Sequence, residues 1–128
     1  MTLGQIKSLV MFQTNNDSED VGDFMPALTE YVNEGYDKLV CAYADAHLQP
    51  TGEEHRPLSW DNDVPNLPEH MHKALADWAT WCVYRNGNPQ KQQRGYVFRS
   101  AFEEALAAAQ SEGSGDEPAP KNFYNIPW

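Results

Sequence analysis

FMPALTEYVNEGYDKLVCAYADAHL, residues 24–48, decides the fold class. Leu28, Tyr31, Val32, Tyr36, Leu39, Val40 and Tyr43 recur at i, i+3, i+4 and i+7, the spacing that gathers side chains on one face of a helix. Proline is tolerated in a first helical turn, so Pro26 is compatible with a helix from near Asp23 to about Leu48. Gly35 lies inside the stripe at a cost of about 1 kcal/mol relative to alanine. The expected compensation is a neighbouring helix that passes close to it.

Three further stretches repeat the pattern. Thr2 and Gln5 form a capping-box pair ahead of Leu3, Ile6, Leu9 and Val10, predicting a helix over 3–13. TNNDSED (14–20) stops it, because Asn, Asp and Ser compete for backbone hydrogen bonds. Pro68 opens a helix over 68–85. Met71, Leu75, Trp78 and Cys82 make one face of it, and Ala74, Trp81 and Tyr84 widen that face. Asn86-Gly87 reads as a left-handed stop. Asn88 then caps a fourth helix with Pro89 at its first position, buried along Gly95, Phe98, Phe102 and Leu106 and ending near Gln110. The fold expected is all-α: a four-helix, bundle-like arrangement of two long helical hairpins.

Two segments stand outside the helices. Residues 49–67, QPTGEEHRPLSWDNDVPNL, form a long connector with three prolines and no sustained period. Within it, residues 55–64 suit a short β-ribbon, and Leu58 and Trp60 are expected to lie back on the core or on a partner. Residues 111–120, SEGSGDEPAP, are too poor in apolar surface to offset the entropy of ordering. The division expected is a helical domain over 1–110 followed by a linker and aromatic C-terminal segment over 111–128.

The chain's 128 residues make one domain by length, and its 41% hydrophobic content supplies one core. Mean hydropathy of −0.68 implies a well-solvated surface. A net charge of −10 opposes non-specific nucleic-acid binding, which depends on neutralising phosphates. A wall beside DNA that must not adhere to it remains compatible. Cys41 and Cys82 form no CxxC motif or dense framework, so reduced, buried thiols and a cytosolic history are expected. No apolar run reaches membrane-spanning length, and MTLGQIKSLVMF lacks the cationic start and cleavage site of a signal peptide.

Chemical motifs are sparse. His70 and His72 are two apart, which turns them to different faces of a helix, and His47 and His55 are isolated; surface histidines are expected rather than a metal site. Asn15–Asp20 lacks the glycine and the twelfth-position glutamate of a calcium loop. A nucleophile needs an adjacent base, and both cysteines lie among apolar positions that keep a thiol protonated. No phosphate loop is present. The expectation is a non-enzymatic protein without a metal or cofactor; an enzyme using Cys82 or an acid–histidine pair is the rival.

Arg85, Lys91, Arg94 and Arg99 gather in an otherwise acidic chain. Two readings stand: pairing with the chain's own acids, or a basic edge that meets an acidic edge of the next subunit. In NFYNIPW (122–128), Phe123, Tyr124, Ile126 and Trp128 either fold back over the chain or insert into another protein's groove. Ten linker residues reach about 35 Å, further than self-docking requires on a domain with a radius of gyration near ~14 Å. An external partner is therefore expected.

Two segments resemble tailed-phage head-to-tail adaptor, or head-completion, proteins. The first is TLGQIKSLV (2–10), an acidic turn, then FMPALTEYVNEGYDKL (24–39), where an Asn-Glu pair follows an aromatic-aliphatic step. The second is LPEHMHKALADWATWCVYR (67–85) followed by KQQRGYVFRSAF (91–102). The resemblance covers about residues 2–108 and rests on helices and fillers, not a chemical signature. It implies a helical bundle assembled as a ring, commonly of twelve subunits, below the portal. Such a ring extends the DNA channel and offers a platform to the next connector or tail protein. The implied location is the virion, after assembly in the host cytoplasm. Partners would be the portal protein, neighbouring subunits, the next connector or tail protein, and genomic DNA passing without specific binding. By position, Tyr31, Asn33, Glu34 and Tyr36 would pack helices and brace turns, and Tyr84 and Arg85 would brace the third helix against the fourth. The connector 49–67 and the NFYNIPW ending match no pattern of that family. The alternative is a small non-phage module that docks its aromatic tail in a partner's groove.

Overall fold

The computed structural model describes residues 1–14, 25–47 and 56–113. Local chemistry sets the helix boundaries. Thr2 Oγ1 accepts the Gln5 N–H at 3.1 Å while Gln5 Oε1 accepts the Thr2 N–H at 2.9 Å, and this capping box opens α1, Leu3–Gln13. A 3-10 turn, Met25–Ala27, leads into α2, Leu28–His47. A second 3-10 turn, Glu69–Met71, follows Pro68 and leads into α3, His72–Arg85. Asn88 Oδ1 then accepts the Lys91 N–H at 3.0 Å, with Pro89 as the first residue of α4, Pro89–Gly113. α4 thus continues three residues into the expected linker.

The fold is an all-α, bundle-like arrangement of four helices, and no strand occurs among the described residues. α3 lies at its centre. Of its fourteen residues, eleven are buried, including Ala74, Leu75, Ala76, Ala79, Cys82 and Val83. α1 rests on α3 and more lightly on α2, and α4 packs on both α3 and α2. α1 and α4 share no extensive contact, so the four helices form a rhombus with α2 and α3 as its inner pair. Leu3, Ile6 and Val10 from α1 join Leu28, Val32 and Leu39 from α2, Leu75 and Val83 from α3, and Phe102 from α4 in one core.

Two glycines permit close helix approach. A Cβ on Gly35 would lie 3.0 Å from Trp78 Cβ, which is the passing helix expected from the sequence. At Gly95 the fit is tighter: a Cβ would stand 2.7 Å from Tyr84 Cβ and 2.8 Å from the Trp81 ring. There α4 crosses the backbone-proximal side of two large α3 aromatics.

Three expectations are corrected. Asn86 has φ −89° and Gly87 is not left-handed; α3 ends instead with the Gly87 N–H on the Tyr84 carbonyl at 3.0 Å and Asn86 Nδ2 on the Cys82 carbonyl at 2.9 Å. Residues 56–64 form a turn-rich loop, not a ribbon. Side chains of α2 take the place of a partner strand. Asn33 donates to the Leu58 carbonyl at 2.9 Å and accepts the Leu58 N–H at 2.8 Å, and Tyr36 Oη accepts the Asn66 N–H at 2.7 Å. His72 is the third correction, since it is buried rather than at the surface. Its Nε2 meets the Leu67 carbonyl at 2.9 Å, and its Nδ1 lies 2.7 Å from the Met1 nitrogen.

The loop also completes α1. The Asp63 and Asp61 carbonyls accept the Leu3 and Gly4 N–H groups at 2.7 and 2.9 Å, satisfying donors that a helix start leaves open. At the other end of α1, Gln13 Nε2 donates to Asp77 Oδ1 at 3.1 Å and Gln13 Oε1 accepts from Thr80.

Gly95→Ala is expected to destabilise the protein by about 2 kcal/mol or more in urea unfolding, because overpacking at a helix crossing outweighs alanine's propensity gain of about 1 kcal/mol. An unchanged or raised midpoint would refute the close crossing.

Candidate functional site

The surface features that could meet a partner lie on α4, on the loop before α3 and at the end of α1, where Met11 and Phe12 are exposed. From Trp78 to Phe102 the chain holds four cations, Arg85, Lys91, Arg94 and Arg99, and no Asp or Glu. The structure does not bring these four into one cluster. Arg85 is turned toward α2: its guanidinium lies 3.4 Å from Glu34 Oε1, 5.9 Å from the Tyr31 ring centroid and 5.8 Å from that of Trp78. Lys91 is half-buried against the Gly87 turn. Arg94 and Arg99 are exposed on α4.

Tyr96 and Val97 lie between those two arginines and are both exposed. The helical period sets them on the outward side of α4 with Arg94 and Arg99 on its two flanks. Tyr96 stacks on Trp81 at 5.3 Å. Arg99 covers the same Trp81 ring at 5.5 Å and pairs with Glu103 at 3.1 Å. The result is a firmly seated aromatic surface flanked by Arg94 on one side and by the Arg99–Glu103 pair on the other. One helical turn away Tyr84 stacks on Phe98 at 6.3 Å and braces α3 against α4, whereas Arg85 meets α4 only through its backbone carbonyl, which Gln92 Nε2 reaches at 3.2 Å, its side chain being turned to α2.

The loop presents a second surface. Asp63 Oδ2 accepts the Ser59 and Trp60 N–H groups at 2.8 and 2.9 Å, and these bonds hold its carboxyl below the usual range. Lys7 pairs with Asp61 at 3.0 Å. Trp60 and Val64 nevertheless point into solvent, 73% and 57% exposed, beside a cavity of about 420 Å³ that Tyr36, Arg56 and Leu58 help to line. Of the two connector residues expected to lie on the core or on a partner, Leu58 is buried in the core and Trp60 is exposed.

Between α2 and α3 a carboxylate gathers three donors. Glu34 Oε1 accepts from Trp78 Nε1 at 2.9 Å, from Cys82 Sγ at 3.4 Å and from Arg85 at 3.4 Å. Burial pushes the Glu34 carboxyl up, but the Trp78 and Cys82 bonds, with Arg85 and Lys38, outweigh it and leave the group below its ordinary value of 4.5. This joint serves packing; Tyr31, Asn33, Glu34 and Tyr36 all act as braces.

The cysteines differ from each other. Burial pushes the Cys82 thiol up to about 12, with Glu34 adding and Arg85 opposing. A thiol in that state is a poor nucleophile at neutral pH. Cys41 is exposed, contrary to the expected burial. Among the described residues no three His, Cys, Asp or Glu side chains are grouped to hold a metal ion. No helix of the described residues is long and apolar enough to cross a membrane. Phe123, Tyr124, Ile126 and Trp128 lie outside the described residues, as do Asn15–Asp20, His55 and most of the 111–128 segment.

No family model, curated protein or solved structure matches this chain.

Two measurements check this geometry. A colourless-to-coloured thiol reagent at neutral pH is expected to titrate Cys41 alone in the native protein and both cysteines after unfolding; rapid reaction of Cys82 would contradict its burial. Glu34→Gln is expected to lower stability at neutral pH by about 1 kcal/mol, a figure discounted for solvent screening. Because the folded carboxyl lies below 4.5, its contribution is fully present above that value and is lost as pH falls through the folded pKa. Wild type and variant should therefore converge in acid unfolding curves.

Proposed function

We propose that this chain is a non-enzymatic structural subunit of a tailed phage: a helical head-to-tail adaptor that forms a ring beneath the portal. In that role it extends the DNA channel, offers a platform to the next connector or tail protein, and resides in the virion after assembly in the host cytoplasm. The observation that carries this reading is the distribution of exposed apolar side chains. Met11 and Phe12 project from α1, Trp60 and Val64 from the loop, and Tyr96 and Val97 from α4. Outcrops on three separate elements suit a subunit with neighbours on several sides, whereas a module with one partner requires one such patch.

Charge supports the same reading. A ring around DNA gains from a net charge of −10 per chain, since a cationic lumen would retain the genome through counterion release. Phe123, Tyr124, Ile126 and Trp128 are the proposed portal anchor, with residues 114–121 as the tether beyond α4. Eight tether residues span at most about 28 Å when extended.

A chain ending at Gly113 is expected to keep its helical circular dichroism and fail to make DNA-filled heads competent for tail joining, with the full chain restoring competence. Normal completion by the shortened chain would remove the anchor. Native mass measurement of the full chain with a portal ring tests the assembly: many copies per ring support the adaptor, and one or two support a groove-docking module instead.

A further inference from the structure

We propose that the loop before α3 is a binding site for a neutral saccharide, with Trp60 as the surface on which a pyranose ring lies. The inference goes beyond the adaptor reading and does not depend on it. It assigns the loop outcrop alone and leaves those of α1 and α4 to neighbouring subunits. The cavity beside Trp60, about 420 Å³, lies within the roughly 300–1,000 Å³ of small-molecule sites.

The side chains around this cavity are mostly polar and mostly uncommitted. Among the described residues, the side chains of Arg56, Ser59 and Asn66 make no hydrogen bond or ion pair, and neither does the Trp60 indole N–H. Asp63 spends only Oδ2 on the Ser59 and Trp60 N–H groups and keeps Oδ1 open. Donors and acceptors therefore stand together beside one exposed ring. The guanidinium and indole N–H donate, the carboxylate accepts, and the amide and hydroxyl do both. A sugar carries the matching surface. Its hydroxyls each donate and accept, and its polarised C–H bonds suit the negative face of an indole.

Other ligand classes fit less well. A phosphate would meet the Asp63 carboxylate in a chain of net charge −10, and a cation would meet Arg56. An extended peptide that adds a strand needs open backbone groups. The N–H groups of Leu58, Ser59, Trp60, Asp63 and Asn66 are all spent within the fold. Tyr36 is buried, so Trp60 has no second ring beside it to make an aromatic groove. The seat is also held in advance. Asn33 bonds twice to Leu58, Tyr36 holds Asn66, and Asp63 closes the turn under Trp60. An indole on so restrained a backbone has little main-chain freedom to lose on binding.

The test titrates the full chain with maltotriose, cellotriose, mannotriose and chitotriose to millimolar concentration and follows the tryptophan indole N–H signals by NMR. At least one trisaccharide is expected to shift the Trp60 signal saturably, leave Trp78 and Trp81 in place, and bind equally well in added salt. Trp60→Ala, with folding checked by circular dichroism, is expected to lower that affinity by about tenfold or more. Arg56→Ala should lower it by about threefold, and Val97→Ala on α4 should leave it unchanged. No saturable shift with any of the four sugars, or full affinity in Trp60→Ala, would overturn the site. A larger shift with arginine amide or inorganic phosphate than with any sugar would overturn it in favour of a charged ligand. The head-completion assay is scored without reference to this cavity, so either reading can fail alone.

Discussion

A helix of fourteen residues with apolar or small side chains on nearly every side has no face to give to water, and α3 is such a helix. Its burial requires neighbours on three sides, which α1, α2 and α4 provide. The polar residues within it follow the same constraint. Asp77 and Thr80 are both buried, and Gln13 at the end of α1 bonds to each, with Lys73 adding a 3.0 Å pair to Asp77. Unpaired, each would carry a desolvation cost of about 1–3 kcal/mol. The short first helix is thus held by a polar clamp as well as by Leu3, Ile6 and Val10.

Much of this architecture is legible in periodicity and caps. The Leu28–Tyr43 stripe, the Thr2–Gln5 box and the Asn88-Pro89 start each encode their position locally, and all three occur in the fold. The close passage at Gly35 could also be read, since a glycine inside a strong stripe needs a reason. What escaped notice is non-local. The ordering of residues 56–67 depends on Asn33 and Tyr36, some 25 to 30 positions away, and no pattern within the loop announces an asparagine standing in for a strand. The end of α3 was misread for a related reason: Asn-Gly permits a left-handed turn but does not compel one when side-chain and backbone bonds to Cys82 and Tyr84 already close the helix.

The candidate surface was legible in part. Four cations were visible as a group, yet spacing alone could not show that Arg85 would turn inward to Glu34 while Arg94 and Arg99 remained on the flanks of α4. The direction of a side chain at a helix junction is decided by the neighbouring helix, and here Glu34 with its Trp78 and Cys82 bonds decides it. The exposure of Cys41 follows from helical period: it lies on the side of α2 that carries Glu30, Glu34 and Asp37, away from the buried Leu28–Ala42 stripe.

The loop between α2 and α3 has a consequence for the order of events during folding. Its backbone is fixed by Asn33 and Tyr36 on α2 and in turn supplies carbonyls to the first turn of α1, nearly sixty positions earlier in the chain. Contacts so distant in sequence incur their closure entropy before they return anything. Helical pairing of α3 with α4, joined by only three residues, is expected to precede them. Capture of α1 would then be the slow, final step, and Trp60, carried on that loop, is placed to report it as a late change in fluorescence.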